Sequence, residues 1–582
     1  MTRVSAALRD HLPFIAVATL LTLVMTFPTI VYVFLTDVFW LPTGDSHDVY
    51  MLMWDVWYGE QYLTGRADRY YTDLLFYPEG LSLRNHHSFI PHIILVNVFE
   101  TLLPLSNAFS LGYLLIIWLS ALSAYVYLRW LLQDKWLALF GSVVFGFSPH
   151  VLVHPNHPHI AFVAGIPLIL YYFQRGVQEK RMRFAWFAGL LAGLTTIVSP
   201  YVFVCATLML GLVTCGYAMT SWRDGWYWRF ILVLAFAVAL ASIWRLYPLV
   251  QDSASFQSSM QWYRDTYGEK WAIVDVDLIS NFVNHGHPIF GPLGQSLLQT
   301  PADAEISGAS FLGYLPMVLI GIALFSKTTR RKTLPWLAIC AVFLLLRLGP
   351  TLQINGTEIE SIHPPGHYAH QIAPSLFDAF VATDMFMMGA ILPLAIMSCL
   401  GILALREWKP ALTQPALIVA FALVVAFEYF IPIEGNLIPQ EQFDHIDWLE
   451  SEADSDEIRL INVPMNWKNS KRYNLYQIMG GFPQVEGATN RPPKSAYDYI
   501  RANVILGSWN EHHVISCETV EPDEYWAALE DLAADGFSHV VFHRERRYGD
   551  KIADSFTNAQ PSYHDEFLSI FRLSDLHESC NA

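Results

Sequence analysis

The sequence predicts an α-helical polytopic membrane protein of about 11 transmembrane helices, followed by a small C-terminal α/β soluble domain. Three observations carry that prediction. Of 582 residues, 53% are hydrophobic and only 15% charged, against roughly 25% charged in soluble domains. Apolar runs of spanning length recur between residues 13 and 433. Beyond Ile433 the composition changes: 26 acidic residues stand against 12 basic ones, so the tail holds most of the net charge of −17. That acidity argues against nucleic acid and against an anionic membrane surface as partners.

The first apolar run, Pro13 to Leu35, can cross a bilayer and lacks a small-residue cleavage site, so it reads as a span and not a removable leader. Further spans are expected at about 109–132, 136–153, 158–174, 184–198, 201–220, 229–249, 309–326, 333–349, 386–405 and 414–432. The loops test this threading. Basic turns follow alternate spans: Arg129 and Lys135; Arg175, Lys180, Arg181 and Arg183; Arg223 and Arg229; Lys327 to Lys332; Arg406 and Lys409. Positive loops stay cytoplasmic, so the N-terminus is expected inside, and the longer segments 36–108, 250–308, 350–385 and 434–582 outside. One apolar stretch, Phe89 to Leu105, must then lie in the outer interface, because counting it as a span inverts the topology. His92, Asn97, Glu100 and Pro104 fit that placement.

In the tail, Ile458 to Val463, Ser538 to His543 and Phe567 to Leu573 read as strands, and Asp523 to Ala534 as an amphipathic helix ended near Gly536. The domains are therefore 1–433, a membrane domain with functional outer loops 36–108, 250–308 and 350–385, and 434–582, an extracytoplasmic α/β domain. No internal repeat is evident. Six cysteines lack metal-ligand spacing: Cys205, Cys215, Cys340 and Cys399 read as small core residues. Cys517 and Cys580 are open to pairing or to remaining free thiols.

Candidate chemistry begins at Thr43-Gly44-Asp45-Ser46-His47-Asp48, which opens an aromatic run from Tyr50 to Tyr58 expected to lie flat at the interface. Asp45 and Asp48 have two readings, a helix start with acidic first-turn residues or a general base beside lipid headgroups. Arg245 and Arg347 each lie within about a turn of an expected outer membrane edge. Ionisable residues in spans are costly and often functional, although an arginine there also snorkels to lipid phosphates. Histidines crowd the outer loops: His86 and His87, then His150, His154, His157 and His159, then His285 and His287. A divalent metal, Mg or Mn, held by Asp45, Asp48 and His157 is compatible with these residue types, but no tight ligand spacing demands it.

The order of several short motifs resembles the GT-C superfamily of polytopic membrane glycosyltransferases, in particular a bacterial branch that depends on polyprenyl-phosphate sugars. The matching pieces are Gly44-Asp45 with Trp54-Asp55, Phe76-Tyr77-Pro78 before His86-His87, and Phe147-Ser148-Pro149 with His154 and His157. Ser199-Pro200-Tyr201, Asp277-Leu278 before His287-Pro288, and Glu305 before Leu312 to Pro316 follow. Leu348-Gly349-Pro350, Tyr476 with Gly487, and His539 to Arg544 complete the set. The resemblance implies a GT-C-like fold, with Asp45 as catalytic base or metal ligand. Where that branch carries an arginine before the tenth span, this chain reads Val381-Ala382-Thr383-Asp384-Met385, which removes one expected phosphate contact.

The implied function is an inverting glycosyltransferase of the outer face of the bacterial inner membrane. It would move a sugar from a polyprenyl-phosphate-linked donor to an acceptor hydroxyl on a glycan, glycolipid or protein. Asp45 would be the base; Asp48, His86, His87, His154, His157, Arg245 and Arg347 would bind substrate. The outer α/β domain would cover the cavity and supply an acceptor surface. Two other classes stay open: a transporter or flippase of lipid-linked glycans, which usually shows internal repeats, and a non-catalytic assembly factor on the same scaffold.

Overall fold

The computed structural model describes residues 2–35, 39–41, 48–84, 89–254, 257–259, 261, 276–297, 309–372, 383–433, 435–452, 458–489, 492–513, 515, 521–544, 549–554 and 559–579. The chain divides into two compact units. The first comprises Met1–Thr36, Phe89–Tyr247 and Arg264–Gly435; the second comprises Asp37–Ser88, Pro248–Tyr263 and Asn436–Ala582.

The first unit is a helix bundle. Among the described residues, five helices are long and apolar enough to cross a membrane: Leu105–Leu132, Pro158–Glu179, Pro200–Ser221, Gly225–Pro248 and Thr383–Trp408. Shorter apolar helices stand at other expected positions, including Asp10–Met25, Lys135–Gly146, Arg183–Ile197, Tyr314–Phe325 and Pro415–Tyr429. Local chemistry sets several of their starts. The Asp134 carboxylate accepts from the amides of Trp136 (2.9 Å) and Leu137 (3.2 Å), capping Lys135–Gly146. Ser199 accepts from Tyr201 N at 3.2 Å ahead of the first-turn Pro200. Gly146 lets two helices close: a Cβ there would come within 2.5 Å of Ala121.

The stretch expected to lie in the interface forms the helix Ile90–Glu100, 11 residues long. At about 1.5 Å per residue it reaches roughly half of a hydrocarbon core about 30 Å thick. It packs on Leu105–Leu132, burying His92, whose Nε2 lies 3.3 Å from the Phe109 carbonyl oxygen. Charges gather at one place in the bundle: Asp10 pairs with Lys135 (2.8 Å) and Arg129 (3.4 Å), and Arg406 with Asp134 (3.0 Å). Cys205, Cys340 and Cys399 are buried as expected, but Cys215 is exposed. Its helix, Pro200–Ser221, buries one face only, and an apolar composition cannot distinguish a packed face from a lipid-facing one. Cys517 and Cys580 lie outside the described residues.

The second unit is built on a four-stranded sheet. Leu460–Val463 runs parallel to His539–His543, which pairs antiparallel with Leu568–Arg572, and Tyr563–His564 completes the edge. Helix Pro522–Ala534 lies where the apolar periodicity predicts it. Segments of the first long loop belong to this unit. Phe39–Leu41 pairs with Asn436–Ile438, and Gln484 exchanges backbone hydrogen bonds with Leu74 and Tyr77, both 3.0 Å, beside strand residue Leu460.

Helix Asp48–Leu63 packs against Trp467–Gly480, which corrects the expected interfacial placement of the aromatic run. Tyr50, Met53, Trp54 and Tyr58 are buried. Trp54 stacks on Tyr58, with centroids 4.8 Å apart, and its Nε1 donates to Gln477 Oε1 at 2.5 Å. Aromatic-rich runs suit interfaces and cores alike; here a protein partner covers them.

Candidate functional site

Asp45, His86 and His87 lie outside the described residues. Asp48 is the first residue of helix Asp48–Leu63 and forms an ion pair with Lys471 from helix Trp467–Gly480. The remaining candidates, His154, His157, Arg245 and Arg347, belong to the first unit.

There the bundle holds a polar cluster. His150 opens onto it from the short helix Pro149–Leu152, which begins where Ser148-Pro149 breaks the preceding helix. His154 follows one turn later, and Asp384 comes from the 3₁₀ turn Thr383–Phe386 that leads into helix Met387–Trp408. One ligand-capable atom of each residue lies within 4.8 Å of the others. His154 Nε2 is 3.8 Å from Asp384 Oδ2, and the rings of His150 and His154 meet edge-on with centroids 4.8 Å apart. All three side chains are buried. His157 stays at the margin, half-buried, with its ring centroid 6.4 Å from His154 and 5.7 Å from His159.

Arg347 closes the helix Arg330–Arg347 at 1% exposure. Its Nη1 donates to Asn281 Oδ1 at 2.6 Å, and its Nη2 donates to the Ser310 hydroxyl. Its charge is attracted by Asp384 and felt by His150. A snorkelling arginine would leave its guanidinium on the outer surface of the bare chain; Arg347 buries it. Arg245 is also buried, at 6% exposure.

Asn281, the partner of Arg347, sits in a 3₁₀ turn, Leu278–Phe282, capped by Asp277, whose Oδ1 accepts from Ile279 N at 2.8 Å and Oδ2 from Gly356 N at 2.7 Å. His287 is spent on structure, its Nε2 donating to the Phe427 carbonyl at 2.9 Å and its Nδ1 accepting from Ile289 and Phe290.

Sequence reasoning passed over His150 and Asp384 as site residues. The His150-to-His154 spacing of four, one helical turn, was the available signal. Asp384 appeared only within Val381 to Met385, the segment that lacks the expected arginine. The described residues bring together a different metal-capable set, while the one expected from Asp45, Asp48 and His157 includes Asp45, which lies outside them. Two imidazoles with one carboxylate also suit Mg poorly, since it prefers an oxygen shell.

The second unit contains one carboxyl that is charge-starved. Glu486 is buried against Ser470 Oγ (2.7 Å), Tyr497 OH (2.9 Å) and Asn466 N (2.9 Å). Burial pushes it up to about 7 despite those three donors. Asn466 in turn caps helix Trp467–Gly480, accepting from Asn469 N at 3.0 Å. The same helix carries Lys471, the partner of Asp48.

The chain shares its fold with solved GT-C membrane glycosyltransferases. It is similar to the apo oligosaccharyltransferase of Archaeoglobus fulgidus at 13% identity, over 92% of this chain and 69% of that one, with a TM-score of 0.52. A second structure of that protein, in complex with Zn and sulfate, matches at 14% identity over 91% and 67%, with a TM-score of 0.51. The arabinofuranosyltransferase AftD from Mycobacteria matches at 13% identity over 97% of this chain and 41% of that one, with a TM-score of 0.55. At such identities the shared property is the fold. The chain itself belongs to the family DUF6311, a domain of unknown function, whose model matches residues 15–427. A search of the curated proteins returns no match.

Proposed function

We propose that the protein is an inverting membrane glycosyltransferase that takes a sugar from a polyprenyl-phosphate-linked donor. The observation that carries this reading is a GT-C fold whose apolar bundle encloses a buried cluster of arginine, histidine and aspartate. Buried charge in a membrane bundle is expensive and is retained for function. In this reading the chain crosses the bacterial inner membrane 11 times, with its N-terminus cytoplasmic and residues 434–582 outside. Its acceptor is the hydroxyl of a glycan, glycolipid or protein.

The chemistry asks little of the protein. The donor phosphate is already a good leaving group, so no strong general acid is needed. Asp45 takes the proton from the acceptor hydroxyl, whose oxygen attacks the anomeric carbon from the face opposite the phosphate, inverting it. As the bond from the anomeric carbon to the phosphate oxygen breaks, the negative charge stays on the lipid phosphate, where guanidinium groups stabilise it. Arg245 and Arg347 are assigned that role, because a planar two-point donor suits a phosphate better than an ammonium does. Asp48, His86, His87, His154 and His157 are assigned to substrate binding.

The test is transfer of labelled sugar from a panel of polyprenyl-phosphate donors by the purified full chain. Asp45→Asn keeps size and removes the proton acceptor, so transfer should fall at least about a hundredfold with expression unchanged. Absence of transfer by the parent from every donor would overturn the reading; near-normal transfer by Asp45→Asn would remove Asp45 as base.

A further inference from the structure

We propose that His150, His154 and Asp384 form a divalent-metal site of the zinc type within the helix bundle, with one coordination position left for an oxygen ligand. The proposal does not depend on the transferase reading, since metal binding is measured directly.

The argument starts from His154. Its Nδ1 lies 2.5 Å from the carbonyl oxygen of His150. A carbonyl only accepts, so Nδ1 carries the proton and donates. That leaves Nε2 aimed at Asp384 Oδ2, 3.8 Å away. If the imidazole is neutral, its lone pair faces a carboxylate, which is unfavourable. A cation in the gap resolves the conflict, and donation of the second ring N–H to a backbone carbonyl is how metal-bound histidines are usually oriented.

His150 supplies the second, independent observation. It is fully buried, and neither ring nitrogen has a hydrogen-bond partner among the described residues. A buried imidazole without partners is costly, and a metal ligand bond to one nitrogen removes part of that cost.

The donor set selects among metals: two imidazoles and one carboxylate suit zinc, whereas magnesium prefers an oxygen shell. Ligand atoms about 2.0–2.1 Å from zinc in a tetrahedron stand about 3.3 Å apart, whereas adjacent ligands of an octahedral ion at that distance stand about 2.9 Å apart. In the structure the three ligand atoms lie within 4.8 Å of one another, with His154 Nε2 and Asp384 Oδ2 3.8 Å apart; both separations exceed either value, so zinc is assigned from the donor types. Three protein ligands in a tetrahedral site leave the fourth position open. The charge of Arg347, felt by both His150 and Asp384, favours an anionic oxygen there.

The competing account is metal-free: His154 holds a second proton, and Asp384 is the counter-ion of that imidazolium and of Arg347. Chelator-treated full-length protein in detergent distinguishes the two. The expected result is one Zn²⁺ per chain by calorimetry and by elemental analysis after desalting. His150→Ala and Asp384→Asn should each weaken binding by more than the roughly 10–100-fold of an outer-shell change, while His157→Ala should leave it unaltered. His150→Cys keeps a zinc ligand, so it should bind where His150→Ala does not. With Co²⁺ it should add a thiolate charge-transfer band, a signal that a folding defect cannot imitate. Failure of the parent to take up stoichiometric Zn²⁺, or uptake indifferent to His150→Ala and Asp384→Asn, would establish the metal-free account and overturn the site.

Discussion

Replacing Glu486 by Gln tests how the second unit holds the helix that grips Asp48. Burial raises this carboxyl from 4.5 to about 7. Between those values the folded chain binds a proton that the opened chain does not, so the folded state is at full strength below pH 4.5. Stability then declines as pH rises through about 7. A displacement of that size corresponds to about 3 kcal/mol at 1.36 kcal/mol per unit. Gln keeps the neutral shape and cannot ionise, so the decline should vanish in the variant. The assay is hydrogen exchange in the full-length protein, following residues 467–480 from pH 5 to 9 after correction for intrinsic exchange. The parent should lose protection in this helix by up to roughly a hundredfold across the window, while Glu486→Gln stays level and is the more protected of the two at pH 9. Parallel profiles for the two chains would show that Glu486 is ionised in the folded state, and the reasoning from burial would fail.

Three further outcomes are expected. Arg347→Lys retains charge but cannot serve Asn281 and Ser310 as a planar fork, so thermal stability and donor affinity should both fall, by about 1–3 kcal/mol in thermal unfolding and donor titration; an unchanged variant would remove Arg347 from the donor contact and show that its fork does not hold the fold. Lys471→Met strips Asp48 of its cation at a site where the two side chains are 12% and 22% exposed. The loss should be about 1–3 kcal/mol, between exposed and buried pairs, and Asp48→Asn in the same chain should recover part of it. Reporter fusions after Lys180, Lys332 and Lys409 should read cytoplasm, and those at Gln257 and Glu511 the outside. A cytoplasmic signal at Glu511 would undo the assigned topology.

Much of the scaffold was legible along the chain, because a bilayer imposes a one-dimensional code. Each crossing must be an apolar helix of sufficient length, so the runs near 109–132, 201–220 and 386–405 announce themselves, whereas Phe89 to Leu105 was excluded by the basic turns, and its 11-residue helix Ile90–Glu100 came from the structure. The tail strands followed from short runs of strand-forming residues, only the last of them alternating, and the GT-C likeness from the order of weak motifs. Partners across the fold were not legible. The run from Tyr50 to Tyr58 has one composition whether lipid or protein covers it, and only the packing of Asp48–Leu63 on Trp467–Gly480 settled which. His150 and Asp384 stand 234 positions apart, and although His150 and His154 share a helical spacing, no local signal links that pair to Asp384. Helical periodicity and hydropathy are properties of neighbours in the chain. The cluster of His150, His154, Asp384 and Arg347 is a property of tertiary packing, in which ligand-capable atoms from elements far apart in the chain come within 4.8 Å of one another at the two histidines and the aspartate.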